Sequence, residues 1–202
     1  MATVVTDPYD SKQVGYDPLK IKGDIVTVSH NTAGHNFTSA VKGISHIIDG
    51  PGEYEIGGVF ITGIHTNGHV KKTQDEPRNT MYLIDYNGIN VLHLGDVNRV
   101  PSQAEVESLG PVHVALVPVG AGGSLTAIKA TEVISLLEPN IVIPMHYATA
   151  HSANTSVKLE PLSRFLKEMG LGSLESVPSI KIPNAKSLPD ETRVVVLEYQ
   201  KN

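Results

Sequence analysis

Three segments of the chain run through β-branched and apolar residues and stop on a residue type that binds metals. They are DIVTVSH ending at His30, INVLHLGD ending at Asp96 and NIVIPMH ending at His146. Buried strands of the parallel kind read as such runs, and sites in α/β folds collect at strand C-termini. Imidazole and carboxylate gathered at one sheet edge form a donor set for a divalent cation. The sequence holds no cysteine, so disulfides and thiolate ligands are excluded and zinc or iron would have to be held by imidazole and carboxylate.

Other residues carry weaker signals. His65 closes the strand-like FITGIH and His69 lies in the loop beyond it, so each is a candidate ligand or a solvated loop histidine. His93 stands three before Asp96, and strand alternation points it to the opposite side, where it reads as a hydrogen-bonded core histidine or one behind the site. His46, His113 and His151 have no partner in sequence and read as structural or exposed. Tyr147, next to His146, could polarise a substrate oxygen or pack at the rim. The run Gly120-Ala121-Gly122-Gly123-Ser124 sits between a strand and a helix, where it serves either as an anion cradle or as a permissive rim loop.

The elements that must position these residues are readable. At 202 residues, 40% hydrophobic and 18% charged, the chain reads as one domain, 1–202, able to bury roughly 70% of its unfolded surface. A net charge of −5 without a basic run argues against nucleic acid or an anionic membrane as partner. The start, MATVVTDPYD, lacks the basic opening of a signal peptide, and no apolar stretch reaches membrane-spanning length. A cytoplasmic location is expected.

ATVVTDP is a strand stopped by Pro8, and Asp24 to His30 is a second. HIIDGPGEYEIGGVFITGIHT reads as two or three antiparallel strands broken at Gly50 to Gly52 and Gly57 to Gly58. Met81 to Asp85 and Ile89 to Leu94 flank Tyr86-Asn87-Gly88, a strong hairpin signal because Asn and Gly tolerate positive φ. The polar stretch KKTQDEPRN, 71–79, reads as an exposed loop. Beyond Asp96 helices and strands alternate. Ser102 caps a short helix to Leu109, VHVALVPV is a buried strand, and Ala127 to Leu137 puts Ala130, Val133, Ile134 and Leu137 on one face. Ile141 to His146 is a strand, Leu159 to Met169 repeats at helical spacing before Gly170, and VVVLEYQ closes as a strand.

This order of elements, with TDP at Thr6 to Pro8, VSHNTAGH at Val28 to His35, HLGD at His93 to Asp96, LVPVG at Leu116 to Gly120 and IPMHY at Ile143 to Tyr147, resembles the metallo-β-lactamase superfamily. The likeness is to its small bacterial and archaeal branch of the L-ascorbate-6-phosphate lactonase type. The resemblance implies an α/β (α+β) fold, a four-layer αββα sandwich with the site at one rim of two sheets. The family's first motif, His-x-His-x-Asp-His, offers ligands to two metals. Here it reads His30-Asn31-Thr32-Ala33-Gly34-His35, with Thr32 in place of the middle histidine and Gly34 in place of the aspartate.

The next family ligand falls, by register, nearer His69 than His65. Asp96 matches the bridging carboxylate and His146 the final histidine. The resemblance therefore implies His30, His35, His65, His69, Asp96 and His146 as metal candidates, with Asp96 and His146 central to catalysis. It implies one ion, zinc or manganese, rather than two, and a metal-bound hydroxide attacking a lactone, ester or phosphoester, so that a small and in part anionic substrate is expected. A second class stays open, in which the fold persists without metal, catalysis is weakened or lost, and the rim binds a ligand or a protein. Relatives usually open with an additional N-terminal hairpin, and this sequence, whether naturally short or begun at a late start codon, is expected to lack it. Its absence is expected to uncover a strand edge at Ala2 to Asp7 that can pair with a second copy.

Overall fold

The computed structural model describes residues 1–66, 79–152 and 157–200. The first half contributes β1 (Val4–Thr6), α1 (Ser11–Val14), β2 (Ile21–Lys22), β3 (Ile25–Thr27), β4 (Val41–Lys42) and β5 (His46–Ile48). Strands β1, β3 and β5 form a small parallel sheet in the order β1-β3-β5, and β2 and β4 pair as a separate two-stranded ladder.

The antiparallel reading of HIID is thus corrected, since β5 joins β3 in parallel. The chain between them crosses over and returns in the same direction. That topology sends Ile25 and Ile48 to one face, against the second sheet, while Val26 and Val28 pack outward on Val41 and Ile21.

The larger sheet holds seven strands in the order β12-β11-β10-β9-β8-β7-β6. Strands β6 (Gly52–Ile56), β7 (Val59–His65), β8 (Thr80–Tyr86) and β9 (Ile89–His93) form an antiparallel meander. Asn87 and Gly88 make the expected hairpin turn at φ 54° and 84°. Strands β10 (Val114–Pro118), β11 (Ile141–Met145) and β12 (Arg193–Val194) then run parallel to β9.

Helices α2 (Gln103–Leu109), α3 (Ala127–Leu137) and α4 (Leu162–Glu168) accompany this half, and their buried residues join the core on one face of the large sheet. Ala130, Val133, Ile134 and Leu137 of α3 are all buried there beside Leu92, Ala115 and Val117. Helix α4 begins three residues later than its periodicity predicts, because Pro161 disfavours helical geometry in the residue before it. On the other face, Ile25 and Ile48 of the small sheet close on Val59, Ile61, Tyr82 and Ile84. Val114, Ile141 and Ile143 are covered instead by an extended segment through Ile180, Ile182 and Leu188. The closing VVVLEYQ leaves the sheet after Val194, where Glu198 donates to the Val177 carbonyl.

Among the described residues β1 is hydrogen-bonded to β3 and to no other strand. Its outward Val4 N–H donates to the Tyr86 hydroxyl, which in turn donates to the Ala2 carbonyl, both at 3.1 Å. A side chain from the large sheet thus occupies part of the edge that another strand would need.

Candidate metal centre

His30 lies just beyond β3, Asp96 just beyond β9 and His146 directly after β11. Parallel pairing of β9, β10 and β11 brings the last two to one rim, and the sandwich brings β3 opposite them. Asp7, directly after β1, and His146 hold left-handed backbone at φ 45° and 53°. Side chains with a Cβ rarely adopt that region, and functional sites are where such strain is kept. Gly95, at φ +56°, is needed between them: a Cβ there would stand 2.4 Å from Asn79 Oδ1 and 2.5 Å from Ser29 Cβ.

Asp96 Oδ2 is ringed by three imidazole nitrogens, with His35 Nε2 at 3.3 Å and His30 Nε2 and His146 Nε2 each at 3.6 Å. Two donors held roughly 2.1 Å from a tetrahedral zinc stand about 3.4 Å apart. Donor atoms of His30, His35 and Asp96 all lie within 4.8 Å of one another, and His146 adjoins that trio through Asp96. Asp96 Oδ1 is buried with no hydrogen-bond partner. A carboxylate with Oδ2 among three imidazole nitrogens and Oδ1 buried without a partner fits a single divalent cation, provided His35 gives up its second proton on binding it.

The second layer fixes the tautomers. Ser29 Oγ gives its one proton to Asp7, so it accepts from His30 Nδ1 at 3.1 Å. Ser124 Oγ gives its proton to the Ala121 carbonyl and accepts from His146 Nδ1 at 3.1 Å. His35 Nδ1 donates to Asp7 Oδ2 at 2.7 Å. In each ring Nδ1 carries the proton toward protein oxygen and Nε2 faces Asp96, the orientation metal-binding histidines need.

Charge follows the same plan. Burial opposes charge on His35, but hydrogen bonds to Asp7 and Asp96 prevail and push its pKa up to about 10. Burial and the neighbouring His35 charge push His30 down, and burial does the same to His146. Burial alone would raise Asp7 and Asp96, yet the surrounding imidazoles hold both below the usual carboxylate range.

His30, His35, Asp96 and His146 therefore come together as the strand ends predict. His65 does not join the trio: it is exposed, and its Nδ1 pairs with Thr80 Oγ1 at 3.2 Å. His69 lies outside the described residues. His93 is buried behind the site, 3.9 Å from Asp7 Oδ2. His46 is exposed, His113 accepts from the Asn90 N–H, and His151 is exposed against Tyr16. Tyr147 packs against the helix-side core and also lines the cavity. The Gly120 to Ser124 loop spends the N–H groups of Ala121 and Ser124 on its own backbone and lends Ser124 to His146.

Thr32 Oγ1 is hydrogen-bonded to His30 Nε2 at 3.0 Å, and Gly34 offers backbone alone. Asp7, Ser29, Ser124 and Asn79 are the residues whose roles sequence reasoning missed. Asp7 had a signal in TDP, whereas Asn79 sat in a polar stretch without pattern. A cavity of about 710 Å³ opens beside the cluster and is lined by His30, His35, Asp96 and His146.

A family model described as a beta-lactamase superfamily domain matches residues 2–146. Over 134 residues the chain is 28% identical to a UPF0173 metal-dependent hydrolase of Pyrococcus horikoshii, covering 64% of this chain and 58% of that protein. The chain thus spans less than two thirds of the length of this curated relative. A crystal structure from Thermotoga maritima, named as a candidate Zn-dependent hydrolase of the metallo-beta-lactamase superfamily, is 35% identical. It superposes at a TM-score of 0.76 over 98% of this chain and 91% of its own. A candidate metal-dependent hydrolase from Parabacteroides distasonis, 17% identical, shares the fold at a TM-score of 0.60 over 96% of this chain and 85% of its own.

Proposed function

The chain belongs to the beta-lactamase superfamily, and on that premise we propose that it is a hydrolase working with one divalent cation, zinc or manganese, on a small lactone, ester or phosphoester. The observation that carries this reading is the common orientation of His30, His35 and His146, each with Nδ1 tied to protein oxygen and Nε2 turned to Asp96. These four residues would hold the cation. When bound, such a cation polarises a carbonyl or phosphoryl oxygen and lowers the pKa of its bound water to about 7.

The chain's own groups do the rest. Asp7 orients His35 and balances its charge, Ser29 and Ser124 keep the other two lone pairs turned inward, and Asp96 sets its carboxylate among the three imidazoles. Thr32 and Gly34 offer no second imidazole or carboxylate, which supports one ion over two. Among the described residues no helix is long and apolar enough to cross a membrane, and with the charge of −5 this supports work on a small molecule in the cytoplasm.

One observation favours a second reading, in which the rim binds a ligand without catalysis. Thr32 already engages His30 Nε2, and His35 bridges Asp7 and Asp96 as a cation would. Metal analysis of protein purified without chelator separates the two. About one zinc or manganese per chain is expected, lost in His35→Ala and His146→Ala while circular dichroism still reports a folded chain, with His35→Ala melting lower because Asp7 and Asp96 lose their buried cationic partner. Metal-free wild-type protein that stays empty after incubation with zinc and manganese would sink the hydrolase.

A further inference from the structure

The far wall of the cavity is a cluster of rings. Tyr16 has its centroid 4.8 Å from that of Tyr199, 5.1 Å from His151, on which it stacks at 28°, and 5.7 Å from Tyr9. His151 and Tyr199 are 4.7 Å apart. The three tyrosines line the same cavity as Asp96 and His146, although they come from opposite ends of the chain.

The hydroxyls are turned to the protein. Tyr9 donates to the Asp17 carbonyl at 3.1 Å, Tyr16 pairs with Thr149 Oγ1 at 2.8 Å, and Tyr199 accepts from the Asp17 N–H at 2.9 Å. With their polar tips engaged, what these side chains present is aromatic surface. The arrangement also has a backbone requirement: a Cβ on Gly15, at φ +79°, would stand 2.1 Å from the His151 carbonyl oxygen, so only glycine lets Tyr16 approach this wall.

Charge narrows the ligand further. The described lining residues include the carboxylates Asp96 and Glu198 and no lysine or arginine. A phosphate carried away from the reacting centre would meet Glu198 with no lysine or arginine among these residues to balance it, and the charge of His35 is already engaged by Asp7 and Asp96. A cavity of about 710 Å³ suits a bicyclic molecule with room to spare.

Building on the hydrolase reading above, we propose that the substrate is an uncharged ester or lactone bearing an aromatic ring, seated on Tyr16 and Tyr199 with its scissile group toward Asp96. Chroman, an aryl-fused ring ether that cannot be hydrolysed, tests the wall separately from the chemistry. In ligand-observed NMR titrations of the full chain as purified, chroman should bind at least about tenfold more tightly than tetrahydropyran, and chroman-6-sulfonate at least about tenfold more weakly than chroman. Tyr16→Ala and Tyr199→Ala should each weaken chroman about fivefold without affecting tetrahydropyran, and Tyr16→Phe and Tyr199→Phe should restore it.

Equal binding of chroman and tetrahydropyran, or unchanged chroman binding in the folded alanine variants, would overturn the ring. Sulfonate binding as tight as chroman would overturn the neutral class. Hydrolysis of 3,4-dihydrocoumarin by zinc-loaded protein is read separately. Chroman binding as expected without that turnover upholds the ring specificity of the cavity and counts against the hydrolase reading alone.

Discussion

Asn79 spends its whole side chain on the strand ends around Asp96. Its Oδ1 accepts the Asp96 N–H at 2.8 Å, and its amide donates to Thr66 Oγ1 at 2.8 Å and the Leu94 carbonyl at 3.0 Å. At 1% exposure none of these can be replaced by water without rearrangement. Asn79→Leu keeps the volume and removes all three bonds, for a stability loss of about 2–3 kcal/mol. Zinc affinity, read by chelator competition, should weaken roughly 10–100-fold; unchanged affinity in a folded variant would show that Asp96 does not depend on it. Gly34 permits a second test at this scale. Its φ lies outside the left-handed region, and an added Cβ would meet only Val14 Cγ1, at an ordinary 3.6 Å. Thr32→His together with Gly34→Asp should therefore fold and take up about one extra zinc or manganese per chain, as metal analysis would count. Unchanged stoichiometry would mean the loop cannot aim the two new side chains at an ion.

Helix α2 shows how an element far from the imidazoles is tied to the site. Ser102 and Glu105 form a reciprocal capping box at its start. Glu105 also pairs with Arg99, whose Nε donates to the Thr66 carbonyl at 2.7 Å, so the helix is linked to the residue that Asn79 grips. The Arg99 hydrogen bond, despite burial acting against it, brings Glu105 down to about 2 from an ordinary 4.5. A depressed carboxylate stabilises the fold fully above its unfolded pKa and loses that contribution as pH falls through its folded one. At this exposure the contribution is about 1 kcal/mol. Glu105→Gln should lower stability by that much near pH 6, and its difference from wild type should fade from pH 4.5 down to about 2. Denaturant titrations at pH 6, 4 and 3 would reveal it; a pH-independent difference would assign the effect to capping alone.

At the scale of the whole molecule, the Tyr86 hydroxyl is what meets the outward side of β1 among the described residues. Tyr86→Phe leaves the outward Val4 N–H and Ala2 carbonyl without that hydroxyl. A loss of about 1 kcal/mol is expected, with concentration-dependent association in sedimentation velocity; neither change would mean the hydroxyl does not guard the edge. Much at this scale was legible in the residues alone. The β-branched runs, the Asn87-Gly88 hairpin and the buried face of α3 follow from local periodicity and turn chemistry, and these act within a few residues. The same runs, ending in Asp96 and His146, point to a shared rim because parallel strands deliver their C-termini to one side, whereas expecting His30 there also took the family resemblance, since β3 belongs to the other sheet. Tertiary structure decided the rest. It put β5 beside β3 in parallel, left His65 at a strand end away from the trio, and joined Tyr16 to Tyr199 across nearly the full chain. It also supplied Asp7 to His35 and Ser124 to His146, 28 and 22 residues apart. Partners separated by that much chain leave no period in the sequence, so which nitrogen of each ring carries its proton is settled only when the packed sheets bring them together.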